Sequence, residues 1–352
     1  MSGPHLRAGQ YHGGMFPDKT IDRRSALVCL GSAGLGLLAM QWAPLYAVDL
    51  KSDTLVKLLP QFNDKSRDQI LRLLKGPGFS GHIPASEVTS LADSERKTVD
   101  ALMIELLPLA RTYSRPPISN YLVGAVARGS SGNLYLGANI EFPGHSLGFS
   151  VHGEQSALSN AYMHSDQGVS AIAVTAAPCG HCRQFMKELS PESDFRILIA
   201  GNPATTLSAL LPMAFGPKDL PDFRAPALPV REVNLARPKG ISDDLELAAL
   251  DAARKSYAPY TRAHSGIAIG TQSGRIYKGA YIENVAFNPS LSPLQTALAA
   301  LIVAGDDTSP IARVVLVEME NAKISQKSVT EAALSAIAPA ARLQVVKTTI
   351  AV

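Results

Sequence analysis

The sequence predicts an α/β protein made of two three-layer α/β/α domains with mixed sheets, the second a degenerate copy of the first, preceded by a small helical segment. Three observations point there. Strand-type and helix-type runs alternate between Leu122 and Ala200 in the order β-β-α-β-α-β, which implies a mixed sheet with helices packed against it. The last third of the chain repeats the opening of that pattern. Finally, 352 residues with 46% hydrophobic and 18% charged content exceed what one core needs, and they exclude a disordered, collagen-like or disulfide-dense chain.

At the N-terminus, Arg23-Arg24 precede an uncharged run from Ser25 to Pro44, rich in Leu, Ala and Gly, that closes at Leu45-Tyr46-Ala47. Residues 1–47 therefore read as a twin-arginine-type signal peptide, which predicts export of the folded protein to the periplasm. The alternatives are a misassigned start, with Met15 or Met40 as later candidates and a cytoplasmic protein, or an uncleaved anchor; the run is marginal against the roughly 20 apolar residues a membrane helix needs. Beyond residue 47 there are 29 basic and 28 acidic residues, a net of +1, against +3 for the whole chain. That balance advertises neither a nucleic-acid nor an anionic-membrane surface, and no stable membrane association is expected once the leader is gone. Cys29 falls in the leader, so the remainder keeps only Cys179 and Cys182.

The elements follow in order. Leu55, Leu58 and Leu59, then Ile70, Leu71, Leu73 and Leu74, recur at helical spacing on either side of Asn63-Asp64-Lys65, predicting two short helices. Gly76-Pro77-Gly78 ends them, and Pro84-Ala85-Ser86-Glu87 opens a third with an acidic first turn, giving a helical segment over 48–93. The first domain, 94–202, opens with one longer helix from Ser94 to Arg111, bent at Pro108. Strands over Leu122–Ala127 and Leu134–Ile140 flank Gly129-Ser130-Ser131-Gly132-Asn133, a hairpin signature. A helix from His152, a strand over Val169–Thr175, a helix from Cys179 and a strand over Phe195–Ala200 complete it. Residues 203–239 are Pro-rich without a sustained period and read as a linker.

In the second domain, 240–352, Gly279-Ala280-Tyr281-Ile282-Glu283 parallels Gly137-Ala138-Asn139-Ile140-Glu141, and Leu294-Gln295-Thr296-Ala297-Leu298 parallels Glu154-Gln155-Ser156-Ala157-Leu158. This copy has no Cys, and Leu294 stands where the first has Glu154. It keeps the pattern of the fold without its reactive groups.

Those groups are His152-Gly153-Glu154 and Pro178-Cys179-Gly180-His181-Cys182. One imidazole and two thiolates, from His152, Cys179 and Cys182, are soft ligands matched to zinc. Three protein ligands leave a fourth position for water, whereas a structural site would close its shell with a fourth Cys or His, and the chain beyond the leader has no other Cys to offer. Helix starts at both cysteines favour thiolate, and His181 is expected to turn away from the metal. Glu154, two residues from a ligand, suits proton transfer beside such a water. Singly, these are a core histidine, a solvated glutamate and buried thiols; together at this spacing they predict a catalytic site with one zinc per subunit.

The segment Val151–Leu189, VHGEQSALSNAYMHSDQGVSAIAVTAAPCGHCRQFMKEL, resembles the duplicated, homodimeric type of cytidine deaminase, among the zinc deaminases marked by H-x-E and P-C-x-x-C. The likeness extends to ISNYLVGAVARG at 118–129, YLGANIEF at 135–142, AFGPKDL at 214–220 and ENVAFNPSLSPLQTAL at 283–298. It implies hydrolytic deamination of cytidine and deoxycytidine to uridine and deoxyuridine plus ammonia, in pyrimidine salvage. Hydroxide on zinc would attack C4 while Glu154 shuttles protons to N3 and the leaving amine. Asn139-Ile140-Glu141 would bind the ribose, with an amide and a carboxylate on alternate strand positions clasping a hydroxyl; the alternative is that they satisfy a turn. Tyr121 stands where phenylalanine is usual against the base, and its hydroxyl needs a partner. Gly153 replaces the usual alanine and Leu122 a polar residue. The resemblance also implies a homodimer, with the loop at Ala286-Phe287-Asn288-Pro289 helping to close a neighbouring subunit's site. A nucleic-acid substrate is not expected, because the even charge offers no phosphate path and a polymer esterifies the 3′-oxygen that Glu141 would hold. The intact Glu154 argues against a binding protein whose chemistry has lapsed.

Overall fold

Two sheets of matching design organise the chain, as the repeated pattern requires. The computed structural model describes residues 52–189, 195–221, 226–306 and 311–351, so the leader lies outside the described residues. Helices α1 (Ser52–Leu58) and α2 (Asp64–Lys75) part where Asn63 accepts a bond from Ser66 N and caps the second. They are followed by β1 (His82–Ile83) and α3 (Ala85–Glu95). The single helix expected over 94–111 is broken. Arg96 adopts a left-handed φ of 53° and stops α3. Thr98 then caps α4 (Val99–Glu105), and α5 (Leu107–Arg111) takes Pro108 into its first turn, where a missing N–H is harmless.

The first sheet is built from β2 (Gly124–Gly129), β3 (Leu134–Ala138), β4 (Val169–Val174), β5 (Arg196–Ile199) and β6 (Thr205–Thr206), with α6 (Gly153–Met163) and α7 (Gly180–Leu189) between its strands. Its order is β1-β3-β2-β4-β5-β6, and only β4–β5 is parallel. The helical segment is thus not separate: β1 extends this sheet, and Leu55, Leu59, Phe62 and Ile70 join the main core. Nor is 203–239 featureless, since it supplies β6, α8 (Leu207–Leu210), a 3₁₀ turn at Pro217–Asp219 and the buried Leu228 and Leu235.

The second sheet follows from α9 (Asp244–Arg254), β7 (Ser265–Thr271), β8 (Ile276–Ala280), α10 (Pro293–Val303), β9 (Ile311–Met319), α11 (Lys327–Ile337) and β10 (Arg342–Thr348). Its order, β8-β7-β9-β10, repeats β3-β2-β4-β5, again with only the last pair parallel. Even the irregularities recur, with a register shift after Arg128 and after Gly270. Glycines set the layer spacing. A Cβ on Gly137 would lie 2.1 Å from Ala157 N in α6, and one on Gly124 would lie 2.7 Å from Arg111 N in α5. Gly124 pairs with Ala138, next to Gly137, so the two glycines face opposite sides and the helices sandwich the sheet. Gly266 against α9 and Gly279 against α10 do the same in the second copy, and α6 packs on α10 between them.

Candidate active site

The site forms where α6 and α7 begin. His152 is the residue before α6, extended at φ −85° and ψ 154°, and its N–H donates to Gln155 Oε1 at 3.2 Å. At the matching start of α10, Ser292 N donates to Gln295 Oε1 at 2.9 Å while Ser292 Oγ accepts from Gln295 N at 3.3 Å, a full capping box. One copy therefore spends this side chain on its helix, whereas the other turns an imidazole toward α7. The two glutamines also cross between copies: Gln155 Nε2 donates to Pro289 O at 3.3 Å, and Gln295 Nε2 donates to Phe149 O at 2.8 Å.

Cys179 precedes α7 and Cys182 lies in its first turn. His152 Nδ1 is 3.5 Å from Cys179 Sγ and 3.3 Å from Cys182 Sγ, and the sulfurs are 3.6 Å apart. A tetrahedral zinc with ordinary bond lengths places S and N about 3.6 Å apart and two S atoms about 3.8 Å apart, so this donor set fits the metal. The Cys179 thiol is held well below its usual range, first by the bond from Cys182 and then by that from His152. Cys182 is pushed up by that same bond and by burial. His152 is raised, chiefly by its bond to Cys179. His181 is not in the cluster: its ring Nε2 donates to Asn288 O at 3.0 Å, turned toward the second copy.

Glu154, in the first turn of α6, is 5% exposed and in hydrogen-bonding range of Cys182. Burial raises its carboxyl above the usual value. It lines a pocket of 460 Å³ together with His152, Cys179, Asn139, Glu141 and Tyr121. A larger depression of 530 Å³ beside α2, lined by Lys65, Arg72 and Glu87 among others, shares no residue with it.

Of the eight residues singled out from sequence, six line this pocket, and Cys182 joins them through its cluster with His152 and Cys179. Ile140 is the exception: it is fully buried, and its backbone bridges Arg115 and Val151. Asn139 Oδ1 accepts from Val123 N at 2.9 Å and its Nδ2 donates to Tyr121 O at 2.9 Å. Glu141 accepts from the Ile118 and Ser119 amides at 2.8 Å and from Ser119 Oγ. Glu283 makes the same clasp on Tyr260 and Thr261 in the second copy, so holding this turn belongs to the fold. Tyr121 sits at the rim, 59% exposed. Gly153 has a local reason, since a Cβ there would lie 2.9 Å from Val123 Cγ1. Sequence reasoning missed Ser119 and Gln155; the signal available for Gln155 was its recurrence as Gln295.

Comparison with known proteins agrees. The family described as cytidine and deoxycytidylate deaminase zinc-binding region matches twice, over residues 97–194 and 207–331. The cytidine deaminase of Pectobacterium carotovorum subsp. carotovorum (strain PC1) is 44% identical over 263 residues, covering 75% of this chain and 88% of the relative. That of Shewanella sp. (strain MR-4) is 41% identical over 286 residues, covering 81% and 95%. Among solved structures, cytidine deaminase from Burkholderia pseudomallei is 32% identical with a TM-score of 0.30, covering 33% of this chain and 98% of that one. With most of its length shared at this identity and the zinc-binding region matched twice, the chain belongs to the cytidine and deoxycytidylate deaminase family.

Proposed function

We propose that this protein is a zinc-dependent cytidine deaminase that hydrolyses free cytidine and deoxycytidine to uridine and deoxyuridine, releasing ammonia, as a step of pyrimidine salvage. The observation that carries the reading is the meeting of His152 Nδ1, Cys179 Sγ and Cys182 Sγ at zinc spacing beside the buried Glu154. His152, Cys179 and Cys182 would hold zinc, which when bound would supply the Lewis acidity that makes water a nucleophile near neutral pH. Glu154 moves the protons. Buried beside the metal site, its carboxylate would take a proton from the attacking water and pass it to N3, then take the proton of the new C4 hydroxyl and deliver it to the amine, which leaves C4 as ammonia. Asn139 and Glu141 hold the ribose, using the one acceptor position, on Glu141 Oε1, that the 118–119 turn leaves open. The Tyr121 ring covers the base. A pocket of 460 Å³ suits one nucleoside.

Glu154→Ala should keep zinc and abolish the fall in cytidine absorbance; comparable turnover in that variant would refute the assignment. A chelator should silence the wild type, and a short cytosine-containing oligonucleotide should survive it. Consumption of the oligonucleotide would instead favour a polymer substrate.

Assembly and address are part of the same reading. Tyr121, Ile118, Leu147 and Phe287 are large hydrophobics left exposed, and a homodimer that covers them would close the pocket. Light scattering of a monomer at working concentration would count against it. Residues 1–47 would direct the folded, zinc-loaded protein through the twin-arginine route, sparing Cys179 and Cys182 from oxidation before loading. Mass spectrometry of the mature chain tests this, and retained residues upstream of Ala47 would exclude it.

A further inference from the structure

Both cysteine ligands sit at the start of α7, and the second copy grips that helix at three points. His181 donates to Asn288 O at 3.0 Å, and the Gln184 carbonyl accepts from Asn284 Nδ2 at 3.0 Å. The third point is Glu188, which is wholly buried. Its Oε1 accepts from the Tyr257 hydroxyl at 2.8 Å and from the Tyr260 hydroxyl, and its Oε2 accepts from Val285 N at 2.8 Å. At about 100° per residue, positions 181, 184 and 188 form one stripe about 60° wide. The grip is lopsided. α11 follows β9 as α7 follows β4, yet among the described residues the bond between α11 and the catalytic copy's loop is an exposed one, Ser335 Oγ with His145 Nε2 at 3.2 Å.

We propose that Glu188, clasped by Tyr257, Tyr260 and the Val285 amide, is a positioning residue for the metal centre. It fixes the rotation of α7 so that Cys179 and Cys182 present their sulfurs to His152, the residue that precedes α6. The inference rests on the zinc reading of the site and gives the degenerate copy a task within its own chain. Geometry makes the setting sensitive. With side chains at a radius of about 5 Å, a 10° turn of the helix moves a sulfur by about 0.9 Å. Metal–ligand distances tolerate only about 0.2 Å. A buried carboxylate held by three donors, two on one oxygen and one on the other, restricts the settings open to the helix.

The test uses the zinc-loaded full chain and the double variant Tyr257→Phe/Tyr260→Phe, which keeps both rings and removes both hydroxyl donors. Release of zinc to an excess of chromogenic chelator should be about tenfold faster than in wild type, at a temperature where circular dichroism shows both folded. After cobalt exchange, the thiolate-to-cobalt and ligand-field bands should shift. Tyr257→Phe alone should be intermediate, and it carries the test if the double variant does not fold. Ser335→Ala should lower Tm without altering release. Unchanged release and unchanged cobalt bands in the Tyr variants, with Tm lowered, would overturn the proposal and leave the clasp as adhesion between the copies. A wild-type chain that holds no zinc would overturn the metal reading itself, a result distinct from one tightly held zinc with unchanged release.

Discussion

Replacing Gly137 by alanine tests the seating of the catalytic helix. The added Cβ would lie 2.1 Å from Ala157 N and 2.6 Å from Ala157 Cα and Gly153 O. These are backbone atoms of α6 and cannot rotate aside. Reaching the 3.4 Å of ordinary contact requires the helix to withdraw by about 1.3 Å. His152 stands at the start of that helix, and a shift of this size is several times the roughly 0.2 Å that zinc ligation tolerates. Overpacking costs about 1–3 kcal/mol where side chains can adjust, and a rigid backbone puts this case at about 3 kcal/mol or above. Tm should then fall by at least about 5 °C. Gly279→Ala supplies the comparison, since its Cβ would meet Pro293 O at 2.1 Å and Ala297 N at 2.3 Å in α10, which Ser292 precedes and caps. The two variants should lose similar stability, but only Gly137→Ala should lose zinc and turnover. Thermal unfolding with metal analysis decides it. A Gly137→Ala protein that keeps one zinc and melts within about 2 °C of wild type would refute the reasoning.

Asp166 yields a pH dependence. Burial acts to raise its carboxyl, but donors from Ser131, Tyr135 and the Gly168 amide outweigh that and hold it below the usual value. A depressed folded pKa contributes stability above the ordinary carboxyl range and loses it as pH falls through the folded value. Asp166→Asn should therefore lower Tm near pH 7 by a margin that shrinks toward about pH 3; a constant margin would count against the argument. Gly153→Ala presses on Val123 Cγ1 at 2.9 Å, a side chain that can turn, so the loss of stability should stay under about 1 kcal/mol. Because Val123 lines the pocket, steady-state kinetics should show KM rising with kcat nearly unchanged, and a lower kcat at constant KM would contradict it.

The reactive centre was legible because zinc ligation imposes residue types at fixed spacing, and His152, Glu154, Cys179 and Cys182 satisfy it within 31 residues of one another. The duplication was legible because close helix–sheet contact admits only glycine, which stands at 137 and again at 279. The break after Glu95 was not, since helical spacing runs on through 94–111 while the left-handed Arg96 and the Thr98 cap depend on local backbone choices. β1 has two residues and so no period. Leu228 and Leu235 are buried singly within a Pro-rich stretch, which pattern reading takes for solvated chain. Nothing in the local sequence marks Glu188, because its donors are 69, 72 and 97 residues away.

The crossed glutamine bonds also bear on when this protein can mature. They join residues 134 and 146 positions apart, so during vectorial synthesis Cys182 leaves the ribosome long before Gln295 does. At ordinary translation speed that interval lasts on the order of ten seconds. Throughout it the nascent chain carries both thiols and the imidazole while the start of α6 lacks its partner from the far copy. Acquisition of the metal in its finished geometry is therefore a late event, close to completion of the polypeptide.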